Sequence, residues 1–234
     1  MKALLHGILV LALAACSQTG SGDSATATDS TTTTAAESTT ATESAEPMTS
    51  AATKTEEKPM SNYENKIAEV YTTAGQINIR FFPDVAPGHV RNFIDLSEQG
   101  FFTNTKFHRV IPGFVIQGGD PNTISGNPAT WGTGGSPNRL KAEFNSIPHK
   151  RGILSMARSG HPDSASSQFF ICVADVPSLD NQYTVFGEVT QGMDVVDTIV
   201  NAPTIGERPK DPVAITKVVV RDAKTDAEKA PTPK

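Results

Sequence analysis

Apolar positions between residues 63 and 222 come in short bursts with two different periods. In "QINIRFF", Ile77, Ile79 and Phe81 alternate with polar neighbours, which is the period of a half-buried strand. "RGILSMAR", "SQFFICVA", "YTVFGEVT" and "VAITKVVVRD" are further β-rich runs, bounded by Gly, Pro, Asp or Asn. Two segments change to helical spacing. In "PGHVRNFIDLSEQG", Val90, Phe93 and Ile94 share a face, Pro87 suits the first turn and Gly100 suits the stop. "GMDVVDTIVN" places Val195, Val196 and Ile199 in the same way. Many short strands with two helices predict a mainly β domain, a closed barrel with helices over its ends. Residues 63–222 are about the size of one hydrophobic core.

The flanks have a different character. "MKALLHGILVLALAAC" carries Lys2, an apolar run from Ala3 to Val10 broken by His6 and Gly7, and then small residues. That is the layout of a secretory signal. It is shorter than the roughly 20 apolar residues of a permanent span. Two readings of it stand: cleavage near Ala15 to release a soluble protein, or a lipoprotein signal over residues 1–15. "LAAC" resembles the lipobox of bacterial lipoproteins, which favours the second reading and implies cleavage before Cys16 and lipidation of its thiol. Two or more acyl chains make a stable anchor. The envelope is then the expected location, with Cys16 in a bilayer and the domain in the periplasm or outside the plasma membrane. Residues 16–62 are dominated by Ser, Thr, Ala, Glu and Gly and hold too little apolar surface to offset ordering, so a flexible tether is expected. As a random coil, roughly 44 residues span about 35–40 Å. Residues 223–234, "AKTDAEKAPTPK", are read as a loose tail.

Charge and side-chain chemistry exclude several functions. The net charge is −5, with 14 Lys+Arg against 16 Asp+Glu between residues 63 and 222, so no basic nucleic-acid face is expected. With Cys16 lipidated, Cys172 has no partner, and its apolar setting marks a small buried hydrophobe rather than a nucleophile. His6, His89, His108, His149 and His161 show no metal-ligand spacing, so no metal is expected. "WGTGGSPN" lacks the rest of a nucleotide fingerprint, and no serine sits in a Gly-x-Ser-x-Gly elbow. No cofactor is expected.

What remains is Arg109 within "KFHRVIPGFVIQGGD", an always-charged group among Phe107, Val110, Ile111, Phe114, Val115 and Ile116 with no acid between Lys106 and Gly119. Rotation about an X-Pro bond needs little more than this. Its barrier is about 18–20 kcal/mol, and no bond breaks. In the twisted amide the proline nitrogen recovers its lone pair. A donor aimed there stabilises the transition state more than the planar ground state. A rigid guanidinium suits that task.

"FHRVIPGFVIQGGD", "GTGG", "GILSMA", "SQFFI" and "VFGEV", in that order, resemble the cyclophilin-type peptidyl-prolyl cis-trans isomerases over residues 63–222. The resemblance implies an eight-stranded antiparallel barrel capped by two α-helices, with the site on its outer surface and proline-containing peptides as substrates. It implies that Arg109 is catalytic and that Gln117 orients it. Phe114, Val115, Phe170 and Leu179 would line the proline pocket. Ala157, Arg158 and Ser159 would pair with the bound peptide, and Gln168 and Gly132 would complete the groove. His108 is expected as structural support, and the family suggests a monomer. Four departures are visible: Val115 stands where methionine is common, Arg158 where asparagine is frequent, Tyr183 where the pocket has a histidine, and Ser178 where many eukaryotic members carry a tryptophan. The last implies weak cyclosporin inhibition; the third keeps an aromatic wall.

Other readings bound this one. Phe107, Ile116 and Phe169 alternate with the site residues and are expected in the core. Gly118 and Gly119 read as turn formers, and Trp131 is open between surface contact and packing. A proline-peptide binding module without turnover, or a displayed scaffold working through its tether, are the alternatives to an isomerase.

Overall fold

The computed structural model describes residues 59–229. The signal, Cys16 and most of the expected tether lie outside the described residues, as do residues 230–234.

Ten strands and two α-helices follow one another: β1 (Lys66–Thr72), β2 (Gly75–Phe81), α1 (Pro87–Glu98), β3 (Arg109–Ile111), β4 (Val115–Gly118), β5 (Ile153–Met156), β6 (Phe169–Cys172), β7 (Val185–Gln191), α2 (Met193–Val200), β8 (Thr204–Ile205), β9 (Arg208–Pro209) and β10 (Ile215–Asp222). Eight form one antiparallel sheet in the order β10-β1-β2-β7-β5-β6-β4-β3, while β8 and β9 make a separate hairpin. The sheet curls until its ends meet. The Phe107 N–H reaches the Val213 carbonyl at 3.0 Å, and the Ile215 N–H reaches Thr105 at 2.8 Å. The expected barrel with two helices is therefore present.

The barrel is filled by phenylalanines. Phe93 on α1 lies 4.9 Å from Phe102 between ring centroids, 5.4 Å from Phe169, 5.6 Å from Phe81 and 5.7 Å from Phe186. Phe107, Ile116 and Phe169 are buried, as their alternation predicts. Helix α1 buries Val90, Phe93 and Ile94 and starts on Pro87. Its N-cap, Ala86, offers no side-chain acceptor. Glu143 from a distant loop accepts the Gly88 and His89 N–H groups instead, at 2.9 and 3.0 Å. An anion at a helix N-terminus satisfies free donors and complements the dipole.

Three local readings change. Gly118 lies within β4, where a side chain would crowd the Phe107 ring; Gly119, at φ +82°, is the turn former. The fold begins before residue 63, with a short 3₁₀ turn at Met60–Asn62. The expected loose tail is held as far as Lys229: Ala223 donates to the Asn65 carbonyl at 2.7 Å, and Glu228 pairs with Arg221 at 2.8 Å. Polar composition hid this, because the partners are a strand arginine and a backbone carbonyl.

Candidate active site

Antiparallel register puts the key side chains in one row. Arg109 on β3 faces Gln117 on β4, Gln117 faces Phe170 on β6, and Phe170 faces Ser155 on β5. Successive residues on a strand point to opposite faces. Val110, Ile116 and Phe169 therefore fill the barrel, while Arg109, Gln117 and Phe170 stand on its outside. The outside of the sheet is itself covered here. Phe82, Val115, Ile153, Phe170, Cys172 and Val185 form a second apolar cluster under Phe114, Ala157, Leu179 and Tyr183.

A cavity of about 170 Å³ opens on this cluster, lined by Arg109, Phe114, Val115, Gln117, Ala157, Arg158, Phe170, Leu179 and Tyr183. Phe170 and Tyr183 meet edge to face with centroids 5.6 Å apart. Arg109 spans the rim: its Nε donates to Glu207 Oε2 at 2.6 Å, its Nη1 reaches Gln117 Oε1 at 3.4 Å, and its guanidinium lies 5.9 Å from the Phe114 ring centroid. Gln117 donates to Gln168 at 2.9 Å, and Gln168 donates to the Gly132 and Gly134 carbonyls at 3.0 and 2.7 Å. The glycine loop is fixed from below by Asp120, fully buried, which accepts the Gly132 and Asn122 N–H groups.

A second cavity of about 390 Å³ adjoins the first and shares Gln117, Ala157 and Arg158 with it. Gly132, Ser159 and Gln168 line it. Every site residue expected in the barrel domain thus falls in one of two contiguous cavities. Thr133, Gly134, Arg139, Ser164 and Ser166 also line the second and were not anticipated. Nor was Glu207, which comes 98 residues after Arg109 in the chain. Trp131 takes the Lys106 ammonium and the Arg208 guanidinium over its ring, at 5.2 and 6.0 Å, which places it as a packing residue at the surface.

Behind the pocket lies a line of three polar groups. His149 Nδ1 is 2.9 Å from Asp180, its Nε2 is 3.1 Å from Ser155 Oγ, and its ring stacks on Phe170 at 6.0 Å. Serine, histidine and aspartate in sequence can activate a nucleophile. Here Ser155 is fully buried and also donates to the Thr184 carbonyl at 2.9 Å, so no substrate carbonyl can reach it. The line is a prop for Phe170. Cys172 is buried as well, and burial pushes its thiol up to about 12, which removes it as a nucleophile.

Burial holds both His149 and His108 below the usual imidazole range, against the opposing pull of Asp180 and Asp120. In the unfolded chain both titrate near about 6.5. Below that pH the unfolded state takes up more protons, so stability is full above it and declines as pH falls. The urea midpoint is expected to drop measurably between pH 7 and pH 5, and His149→Gln to flatten that slope. A midpoint constant over this window would mean that neither imidazole resists protonation.

Comparison with known proteins agrees with this fold. The family model "Cyclophilin type peptidyl-prolyl cis-trans isomerase/CLD" matches residues 67–220. A peptidyl-prolyl cis-trans isomerase of Helicobacter pylori is 41% identical over 158 residues, covering 66% of this chain and 90% of the relative. One from Acinetobacter baylyi is 42% identical over 171 residues, covering 69% and 88%. Among solved structures, a cyclophilin-type isomerase of Cryptosporidium parvum, crystallised in the presence of the dipeptide Ala-Pro, matches with a TM-score of 0.61 at 32% identity, over 67% of this chain and 99% of that one. With an outward-facing arginine beside an apolar notch on an eight-stranded barrel, the chain belongs to the cyclophilin-type peptidyl-prolyl cis-trans isomerases.

Proposed function

We propose that this isomerase works by non-covalent transition-state stabilisation, with Arg109 as the donor and the neighbouring apolar cavity as the seat of the proline ring. The observation that carries the reading is the placement of Arg109 on the rim of a cavity floored by Val115 and Phe170 and walled by Phe114, Leu179 and Tyr183. Two of its nitrogens are tied, Nε to Glu207 and Nη1 to Gln117. Nη2 keeps its hydrogens for the prolyl nitrogen. In the planar amide that nitrogen is a poor acceptor; in the twisted amide it is a good one, so the bond forms where catalysis needs it. The test is isomerisation of an X-Pro peptide by the wild type and by Arg109→Ala. A binding module would show affinity without turnover.

Glu207 acts in this scheme as a positioning residue. It is half-exposed, so the pair is of modest strength. Glu207→Ala is expected to lower kcat about two- to fivefold with KM nearly unchanged. A change confined to KM would place Glu207 in binding instead.

The clients are proposed to be X-Pro bonds in unfolded or loop segments of exported proteins. The support is the leader and "LAAC", which predict a lipid anchor on Cys16 and a domain held in the cell envelope by its tether. A working monomer is proposed with it, as the family resemblance implies. Mass spectrometry of the mature N-terminus tests the anchor: an acylated Cys16 is expected, and an unmodified N-terminus near Ala15 would refute it.

A further inference from the structure

The second cavity has a charge that peptide isomerisation does not require. Arg139 and Arg158 line it, with Thr133, Ser159, Ser164 and Ser166 between them, and no acidic side chain does. Neither arginine forms an ion pair with a described residue. Arg139 donates through Nη1 to the Ser164 carbonyl at 2.8 Å. Arg158 is fixed more firmly. Its Nε donates to Gln182 O at 3.0 Å, its Nη1 donates to Ser159 O at 2.9 Å and Gly160 O at 3.2 Å, and its guanidinium lies 4.8 Å from the Tyr183 ring centroid. A guanidinium carries five N–H donors. Carbonyl partners therefore leave hydrogens on both arginines, and the full positive charge, without a carboxylate. Ser159 and Ser166 add hydroxyl groups to the lining, while the Thr133 and Ser164 hydroxyls already donate to the Thr130 and His161 carbonyls. Such a lining suits an anion gripped by Arg139 and by the remaining Nη2 of Arg158.

We infer that this cavity selects a carboxylate side chain on the substrate, a Glu or Asp within three residues of the isomerised proline. The inference rests on the proline ring occupying the first cavity, from which Arg158 and Ala157 lead directly into the second. The chain's own charge works against such a preference. At −5 overall, long-range steering disfavours acidic peptides, so a preference for them must be local. It must also depend on position, because exposed charges separated by more than about 8 Å are largely screened at physiological salt.

The experiment measures exchange rates by NMR on unlabelled peptides. Substrates with a succinyl group are avoided because they add a carboxylate of their own. A neutral Ala-rich X-Pro peptide receives a single Glu, Gln or Lys, in turn, at each of three positions before and two after the proline. At one position Glu is expected to exceed Gln in kcat/KM by about three- to tenfold, with Lys below Gln. Arg139→Gln should bring the Glu-to-Gln ratio, each peptide read against the neutral one on the same variant, close to one. Arg139→Glu should invert the order in favour of Lys. Differences below twofold at every position, or a Glu preference that survives both variants, would overturn the inference. If the neutral peptide itself failed to exchange, the proline-pocket reading would be at fault. Chemical-shift titration with the same Glu, Gln and Lys peptides would then decide the cavity's preference by the same criteria.

Discussion

Arg109→Ala lowers kcat/KM on an X-Pro peptide at least tenfold, a loss of about 1.4 kcal/mol of transition-state stabilisation. The fold should be unaffected, since the Arg109 side chain is 34% exposed and its acidic partner 57% exposed. Circular dichroism and the urea midpoint should therefore match the wild type. Arg109→Lys is not expected to restore the rate. An ammonium has three donors radiating from one atom and cannot reproduce the flat spread that reaches Glu207, Gln117 and the substrate together. Equal rates for wild type and Arg109→Ala would remove this side chain from the mechanism. The apolar cavity alone would then have to distort the amide.

Phe169→Ala destabilises the domain by about 3–5 kcal/mol, the usual cost of removing a buried phenylalanine. Its ring lies 5.4 Å from Phe93, 5.7 Å from Phe102 and 6.2 Å from Phe107, so no neighbour can close the gap without moving the others. That cost is a large share of the roughly 5–15 kcal/mol that holds a domain together. The next residue behaves differently. Phe170→Leu keeps an apolar side chain on the outer cluster, so it should spare the urea midpoint and raise KM by loosening the notch. A midpoint for Phe169→Ala within about 1 kcal/mol of wild type would contradict the packing described for the barrel interior.

The contrast between these two neighbours shows what could be read in advance. "SQFFICVA" is apolar on both faces because β6 is covered inside by the barrel and outside by the notch, so alternation is absent where the site lies. Periodicity predicted a strand there, but only motif resemblance separated Phe170 from Phe169. Strand β1, "KIAEVYT", was not among the expected strands. Its Lys, Ala and Glu are poor strand formers, and its extended form comes from pairing with β2 on one side and β10 on the other. Glu207 and Arg139 were invisible for a related reason. Each stands in a polar loop with no local signal, and only the folded chain brings Glu207 to Arg109 and Arg139 to the second cavity. His149 was noted only as lacking metal spacing; its tie to Asp180 spans 31 positions.

The pairing of β1 with β10 also has a temporal meaning. Lys66 and Asp222, joined at 2.6 Å, are 156 positions apart. A ribosome must therefore synthesise nearly the whole domain before the first strand can acquire its outer neighbour. Contacts so distant in sequence close slowly. During that delay the outer edge of the first strand stays unpaired, open to pairing with another chain.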